Sequence, residues 1–430
     1  MIVTVPGDKS ISQRALILAA LSEGSSRVSG LLASADPRAT AGALRALGAS
    51  IPPVPTDGSP IVVTGKGLHG LRPSAAPIDL ENSGTGARLL LGVLCGQSFE
   101  TTVTGDESLR SRPMRRVTEP LGRMGARFEE LGEPGRLPIR VLGGKLEPVD
   151  LSLSVASAQI KSAVLFAGLV GGVSVALTEP GLSRDHTERM FRAAGVSVTE
   201  VPAGPGRHVE MVSPPERLHA RDWTVPGDFS SAAFLVALAV LGGAGPSLAI
   251  RNVGINPSRT GLLPILRRMG ARIRVEADGD DTGVGEPVGT IHVSPSELVG
   301  TTVTGDEVPS AVDELPILAA LAARAEGITR IEGAGELRVK ETDRLKALSD
   351  NLRSLGVAVE EMADGMEIEG TRGPLAGRTR SFGDHRIAMA FGVLGAIPQC
   401  DIEVEGAEAV DVSYPEFWSD LRRIGMEARR

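Results

Sequence analysis

One phrase recurs six times along the 430 residues: a helical stretch, a glycine, and a strand-like tail. It reads LRALGASI at Gly48, LGRMGARFE at Gly125, MFRAAGVSV at Gly195, LRRMGARIRV at Gly270, LRSLGVAVE at Gly356 and LRRIGMEA at Gly425. Each glycine stands where a helix C-cap needs a left-handed residue. The spacings are 77, 70, 75, 86 and 69 residues. Solenoid units usually run ~20–45 residues, so these repeats are too long for one.

A second phrase lies upstream of each glycine: a small or polar cap and then a strongly apolar helix. These helices open near Ser10, Ser83, Ser157, Ser230, Ser310 and Asp384. ALILAAL, LLLGVL, AVLFAGLV, AAFLVALAV, PILAALAA and IAMAFGVL are apolar on nearly every side, which places them inside a core. The Arg-studded helices that end in glycine are amphipathic and should face solvent on one side. Between helices come β-rich pieces such as PIVVTG, FETTVTGD, LPIRVLGG, VSVALTEP and DIEVEG. Each unit therefore holds two helices and several strands. Six α/β units divided three plus three give two similar domains, which is also what a chain of this length asks for.

TVPGD occurs twice, as TVPGDKSISQR from Thr4 to Arg14 and as TVPGDFSS from Thr224 to Ser231. One copy precedes the helix of unit one and the other the helix of unit four, so both fit crossovers between domains. If the N-terminal strand pairs with the second half, units one to three become an inserted lobe. The expected division is 1–8 with 228–430 and 9–227, with crossovers near 6–9 and 225–228. In the first copy Ser10 and Gln13 have capping-box spacing, with Ser10 as N-cap. Lys9, Ser10 and Arg14 then crowd a helix N-terminus, where unpaired N–H groups already favour an anion.

The formal net charge of −8 argues against a general basic surface for nucleic acid. Any anion site must be a local concentration of cations. Only six lysines stand among the 45 basic residues, so a Lys beside a candidate site is suggestive in itself. The two cysteines, Cys95 and Cys400, make no disulfide framework, and Cys95 in LLLGVLCG reads as a buried apolar residue. The longest apolar runs, near 163–177 and 232–244, contain glycine and are short for a membrane span. The first motif begins at residue 4, and a cytoplasmic location without a signal peptide is expected.

Charged and amide-bearing residues gather at two phases of the repeat. Where the apolar helices open stand Lys9, Ser10 and Arg14, then Asn82, Ser83, Gly84 and Thr85. Ser157, Gln159 and Lys161 follow, and after them Asp313, Asp384, His385 and Arg386. Before the amphipathic helices stand Arg38, Arg112, Arg184, Arg259 and the run RVKETDR from Arg338 to Arg344. Convergence of helix N-termini with Lys and Arg suits a ligand carrying several phosphates or carboxylates. Bland readings stand beside these. Ser10, Ser83, Ser157 and Asp384 also fit plain N-caps, and Asp313 completes a capping box with Ser310. Arg38 and Arg259 read more readily as surface residues, and the segment around Arg184 as a salt-bridged helix start. His186 has no second His at metal-ligand spacing, and GTGAR lacks the Lys-Ser/Thr ending of a phosphate loop. RVKETDRL resists such a reading better, because it puts Lys340, Glu341 and Arg344 within one helical turn.

Together the motifs PGDKSISQRAL, ENSGTGARLLLG, SRPM, SAQIKSA, SRDHTERM, DELPILA, RVKETDRL and FGDHRIAMAF resemble the enolpyruvyl transferase family, over essentially the whole chain. RVKETDR and GDHRIAM carry most of the specificity. GDKS, SAQIK and RDHTE are closer to the branch called class II. The resemblance implies a two-lobed, inside-out α/β barrel of six βαβαββ units with pseudo-threefold lobes. It implies transfer of the enolpyruvyl group of phosphoenolpyruvate to shikimate 3-phosphate, with no metal or organic cofactor. A monomer with small-molecule substrates, and neither nucleic acid nor membrane as partner, is expected.

Carried over by motif, Lys9, Ser10, Arg14, Ser157, Gln159, Arg184, Asp313 and Lys340 would hold shikimate 3-phosphate. Lys9, Asn82, Gly84, Thr85, Arg112, Gln159, Arg344, His385 and Arg386 would hold phosphoenolpyruvate. Glu341 is implied as proton donor to the methylene carbon and Asp313 as base, with Lys9 sharing in the chemistry. Three departures stand out. The Lys motif comes close to the start of the chain, Ala158 replaces the second Ser of a Ser-Ser-Gln pattern, and Asp411-Val412-Ser413-Tyr414-Pro415 lacks a lysine. Gly84 keeps the glycine associated with glyphosate sensitivity. The nearest rival is an enolpyruvyl transferase acting on UDP-N-acetylglucosamine. Its loop Cys stands where this chain has Glu107. A non-catalytic anion-binding repeat protein is the other alternative, and Asp313 and Glu341 among cations count against it.

Overall fold

The computed structural model describes residues 1–278 and 283–428. The chain forms two compact units, one of Met1–Pro6, Gly227–Gly279 and Pro287–Arg430, the other of Gly7–Pro226 and Asp280–Glu286. Among the described residues, no helix is long and apolar enough to cross a membrane.

Each unit contains three sheets built to one plan. In the first unit, Ile2–Val3 pairs in parallel with Leu248–Gly254, which pairs antiparallel with Val288–Ser294, and that in turn with Arg272–Ala277. Thr302–Val303, Ile328–Ile331, Gly365–Glu369 and Ala358–Met362 repeat the order and the directions. The third sheet keeps only the parallel pair Leu375–Arg380 and Cys400–Glu405. In the second unit, Ile78–Asp79, Glu100–Thr104, Ile139–Leu142 and Arg127–Glu130 follow the same plan. So do Val149–Ser152, Val175–Thr178, Gly206–Met211 and Thr199–Ala203. The remaining sheet joins Trp223–Thr224, Glu23–Ser29 and Ile61–Lys66, with a single bridge at Ser50 in place of a fourth strand.

The parallel edge strands show how the chain divides. Ile2–Val3 precedes the first apolar helix, yet it lies in register with Ala249 and Ile250 of the first unit. Trp223–Thr224 precedes the helix of unit four, yet it lies beside Val28 and Ser29 of the second. Each of the two strands thus serves the half of the chain that does not follow it. The Pro-Gly-Asp turns bring this about. Asp8 N–H donates to the Pro226 carbonyl within the second unit, and Asp228 N–H to the Pro6 carbonyl within the first, both at 2.8 Å. Both aspartates then cap the helix that follows, Asp8 accepting from the Ile11 N–H and Asp228 from the Ser230 N–H. Asp8, rather than Ser10, is therefore the N-cap of the first helix. Gln13 is fully buried with neither amide atom hydrogen-bonded, so the expected capping box does not form.

The apolar helices are the cores. In the second unit Gly84–Cys95 packs against Lys9–Leu21 and Ala158–Gly171. A Cβ on Gly92 would stand 2.1 Å from the Ala163 carbonyl, so glycine sets how closely those two helices approach. In the first unit Phe229–Val240, Leu315–Ala322 and His385–Ala396 pack pairwise. All six are buried over most of their surface, as all-round apolar helices must be. Five of the six helix-ending glycines have left-handed φ, between 82° and 97°. Gly425 differs: the helix Phe417–Ala428 runs through it.

Candidate active site

In the second unit three apolar helices present their N-termini with polar residues. Lys9 opens the first, and its Nζ lies 3.3 Å from Asp36 Oδ2. Arg14, one turn on, is buried and donates to three oxygens: Nη1 to the Ser10 carbonyl (3.0 Å), Nη2 to Ser162 Oγ (2.9 Å) and Nε to Thr187 Oγ1 (2.7 Å). Among the described residues no carboxylate comes within ion-pairing distance of its guanidinium. Burial lowers the Arg14 pKa, the charges of Glu188, Asp8 and Glu286 oppose that, and nearby Arg184 adds to it. The Ser10 contact comes through its backbone, and Ser157 precedes its helix without a side-chain cap bond.

Gly84 begins the second apolar helix, capped by Ser83. A Cβ there would stand 3.1 Å from Nη1 of both Arg88 and Arg112, so two guanidiniums crowd this position and a methyl would press on both. Arg112 Nη2 donates to Asn82 Oδ1 at 2.6 Å, and Asn82 Nδ2 to Asp106. Gln159, in the first turn of the third helix, accepts from Arg88 at 2.7 Å and donates to Thr85 Oγ1 at 3.0 Å. Asn82, Gly84, Thr85, Arg112 and Gln159 are thus one connected cluster. Lys161 is fully buried, paired with Glu179 and Glu188. Asp185 pairs with Arg189 four residues on, so the segment beside Arg184 is indeed a salt-bridged helix start.

In the first unit Asp313 sits in a turn that interrupts the apolar stretch between Val308–Ala311 and Leu315–Ala322. It completes no capping box with Ser310, whose hydroxyl donates to the Glu307 carbonyl. Three guanidiniums surround its carboxylate: Arg259 Nη1 and Arg386 Nη2 at 3.4 Å from Oδ2, and Arg344 Nη1 at 3.7 Å from Oδ1. Arg386 Nη1 also donates to the Asp313 carbonyl at 3.0 Å.

Arg344 is almost fully buried and bonds Asp384 through Nε and Nη2 and Glu341 through Nη2, at 2.7, 3.3 and 2.7 Å. Burial pulls its pKa down, but Asp384 and then Glu341 outweigh that and leave it raised. Asp384 caps the His385–Ala396 helix, as expected, and His385 is buried beside it. RVKETDRL is not one helical turn. A 3-10 helix ends at Val339, Lys340 is extended, and Asp343 caps a new helix from Arg344. Lys340 pairs with Glu336 instead of joining the Asp313 cluster.

Sequence reasoning passed over Asp36, Arg88 and Glu314, the last of which accepts from the Ser230 hydroxyl and lies 3.9 Å from Arg386 Nη1, and it placed Arg259 on the surface. Arg259 is 3% exposed and bonds Asp228 and Ser230. Its signal was its phase, shared with Arg112 and Arg184. Arg38, at the same phase, is exposed. In the segment that lacks the C-terminal lysine, Tyr414 is buried and donates to Asp420 Oδ2.

Six repeats of one βαβαββ unit, two of them with fewer strands, whose helix N-termini carry Lys, Arg, Asp and amide side chains are the plan of an enolpyruvyl transferase. The model of the family described as EPSP synthase (3-phosphoshikimate 1-carboxyvinyltransferase) matches residues 1–421, and the chain belongs to that family. Relatives described as 3-phosphoshikimate 1-carboxyvinyltransferase include one from Desulforamulus reducens, 46% identical and covering 99% of this chain and 97% of that one. Another, from Halorhodospira halophila, is 47% identical over 98% and 93%. The solved EPSP synthase of Acinetobacter baumannii superposes with a TM-score of 0.86 at 40% identity, covering 99% and 95% of the two chains. The enolpyruvyl transferase NikO of Streptomyces tendae, at 20% identity over 99% and 94%, shares the fold with a TM-score of 0.75.

Proposed function

We propose that this chain transfers the enolpyruvyl group of phosphoenolpyruvate to the 5-hydroxyl of shikimate 3-phosphate, releasing phosphate. The observation that carries the reading is Asp313, displayed by a break in an apolar helix and held among Arg259, Arg344 and Arg386, in a chain of the EPSP synthase family. The rival acting on UDP-N-acetylglucosamine is not favoured by that family match. A pure binding protein would have no need of acid–base groups there.

Asp313 takes the proton of the attacking hydroxyl as its oxygen bonds to C2 of phosphoenolpyruvate, and Glu341 supplies a proton to the methylene carbon. Loss of phosphate and of a proton from that carbon then restores the double bond. Lys9, Ser10, Arg14, Ser157, Gln159, Arg184 and Lys340 hold shikimate 3-phosphate. Lys9, Asn82, Gly84, Thr85, Arg112, Gln159, Arg344, His385 and Arg386 hold phosphoenolpyruvate. Both substrates carry a phosphate and a carboxylate, so their mutual repulsion must be overcome before reaction. Fixing two such reactants in reacting orientation is worth up to about 7–11 kcal/mol of barrier. The cations of the second unit suit that task, since Arg14 and Arg112 rest on neutral acceptors. A monomeric, cytoplasmic enzyme goes with this reading.

Phosphate release from phosphoenolpyruvate, with shikimate 3-phosphate and with UDP-N-acetylglucosamine in parallel, tests it. Turnover is expected only with the former, and the reverse preference overturns the assignment. Lys9→Met should abolish turnover with the fold intact, and near-normal activity would remove Lys9 from the site.

A further inference from the structure

Arg14 and Arg344 are both buried, but they are held in opposite ways. Arg344 hydrogen-bonds two carboxylates and pairs with a third, whereas Arg14 touches three neutral oxygens. Two of those oxygens belong to Ser162 and Thr187, whose hydroxyls lie 2.6 Å apart. Ser162 is on the helix Ala158–Gly171 and Thr187 on His186–Ala193. Their immediate neighbours, Lys161 and Glu188, join the same two helices by an ion pair of 2.7 Å from which water is wholly excluded. Two cross-links at consecutive residues therefore fix the spacing of the helices, and the Arg14 guanidinium spans the hydroxyl pair.

The charges complement the geometry. Lys161 answers two buried carboxylates, Glu179 and Glu188, and burial raises the Glu188 pKa while the Lys161 charge opposes that. Burial disfavours the charged form of Arg14, and Glu188 is the first of the nearby charges that favour it, without touching it. A carboxylate in contact with Arg14 would have to be displaced by an anionic ligand. A hydroxyl pair holds the guanidinium in place and leaves no such competitor.

We infer that Ser162 and Thr187, braced by the Lys161–Glu188 pair, are positioning residues that aim Arg14 and set its affinity for the anionic groups of shikimate 3-phosphate. The inference rests on the reaction proposed above. Steady-state kinetics with each substrate varied, and calorimetric binding of shikimate 3-phosphate alone, test it on wild type, Ser162→Ala/Thr187→Val and Thr187→Ser. Removing both hydroxyls should weaken shikimate 3-phosphate by about tenfold or more, the range that two lost hydrogen bonds to a charged group command. The KM for phosphoenolpyruvate should stay within about twofold, and Thr187→Ser, which keeps the hydroxyl, should stay near wild type in both. Ser162→Ala alone should show the same split at smaller size, which serves if the double variant misfolds. Unchanged shikimate 3-phosphate binding, equal loss for both substrates, or a Thr187→Ser defect as large as that of the double variant overturns the positioning role. Wild-type protein that binds no shikimate 3-phosphate overturns the proposed reaction as well.

Discussion

Asp384 Oδ2 accepts from Arg344 Nε at 2.7 Å, while Asp384 Oδ1 accepts from the Arg386 N–H at 2.8 Å. One fully buried carboxylate thus caps the His385–Ala396 helix and neutralises a guanidinium that is 1% exposed. Asp384→Ala removes the cap and strands a buried charge. Breaking such a pair by deleting one partner costs roughly 3–5 kcal/mol. Urea unfolding should show a loss of that order, and a loss near that of a surface cap would mean that Glu341 suffices to hold Arg344.

How much of this could be read from the chain depends on the range of the interaction. The six units were legible because a helix C-cap and an all-apolar helix are local patterns, and the strand swap was legible because TVPGD repeats. Partnerships between side chains that only packing brings together were not. Nothing near Arg259 in sequence says that it meets Asp228, and Lys161 finds Glu188 only once two helices pack. The capping box at Ser10 failed for a related reason: Asp8 takes the cap position, held there by a bond to Pro226.

Lys161 allows a pH test of its buried pair. Burial lowers its pKa, but Glu188 and Glu179 outweigh that and leave it above the ordinary 10.5. A basic group raised on folding contributes stability that is complete below its unfolded pKa and is lost as pH climbs through the folded one. The stability gap between wild type and a neutral reference, Lys161→Met/Glu179→Gln/Glu188→Gln, should therefore hold from pH 7 to about 9 as far as Lys161 is concerned and shrink above about 10.5. Urea midpoints at each pH give the gap, and one that widens above about pH 10.5 would contradict the assignment.

Gly84→Ala should separate stability from activity. The new methyl meets the Nη1 ends of Arg88 and Arg112 at 3.1 Å each, both the far ends of flexible side chains, and Leu109 Cδ1 at an ordinary 3.8 Å. Alanine is also the better residue in a helix, by up to about 1 kcal/mol. Thermal unfolding should be unchanged or slightly raised. The KM for phosphoenolpyruvate should rise by about tenfold, because sub-ångström displacement of positioning groups is costly. Unaltered kinetics would take both guanidiniums out of the substrate's reach.

Gly7→Ala should do the reverse and act on folding first. A Cβ at Gly7 would stand 1.8 Å from the Gly30 carbonyl oxygen and 3.2 Å from the Leu32 nitrogen, backbone atoms with no rotamer to escape into. Gly30 in turn has φ +71°, and a Cβ on it would lie 2.3 Å from the Val225 carbonyl. Three stretches of backbone are therefore stacked at glycine distance beside the bond from Asp8 to Pro226. Overpacking of this kind costs about 1–3 kcal/mol where side chains yield, and more where only backbone is left to move. Gly58 provides the control, with φ +72° but nothing within 4 Å of where a methyl would stand. Gly58→Ala should cost only the left-handed strain of about 1–2 kcal/mol. If urea unfolding finds Gly7→Ala no worse than Gly58→Ala, then the Pro-Gly-Asp glycine serves its turn alone and the close approach to Gly30 has slack to absorb a methyl.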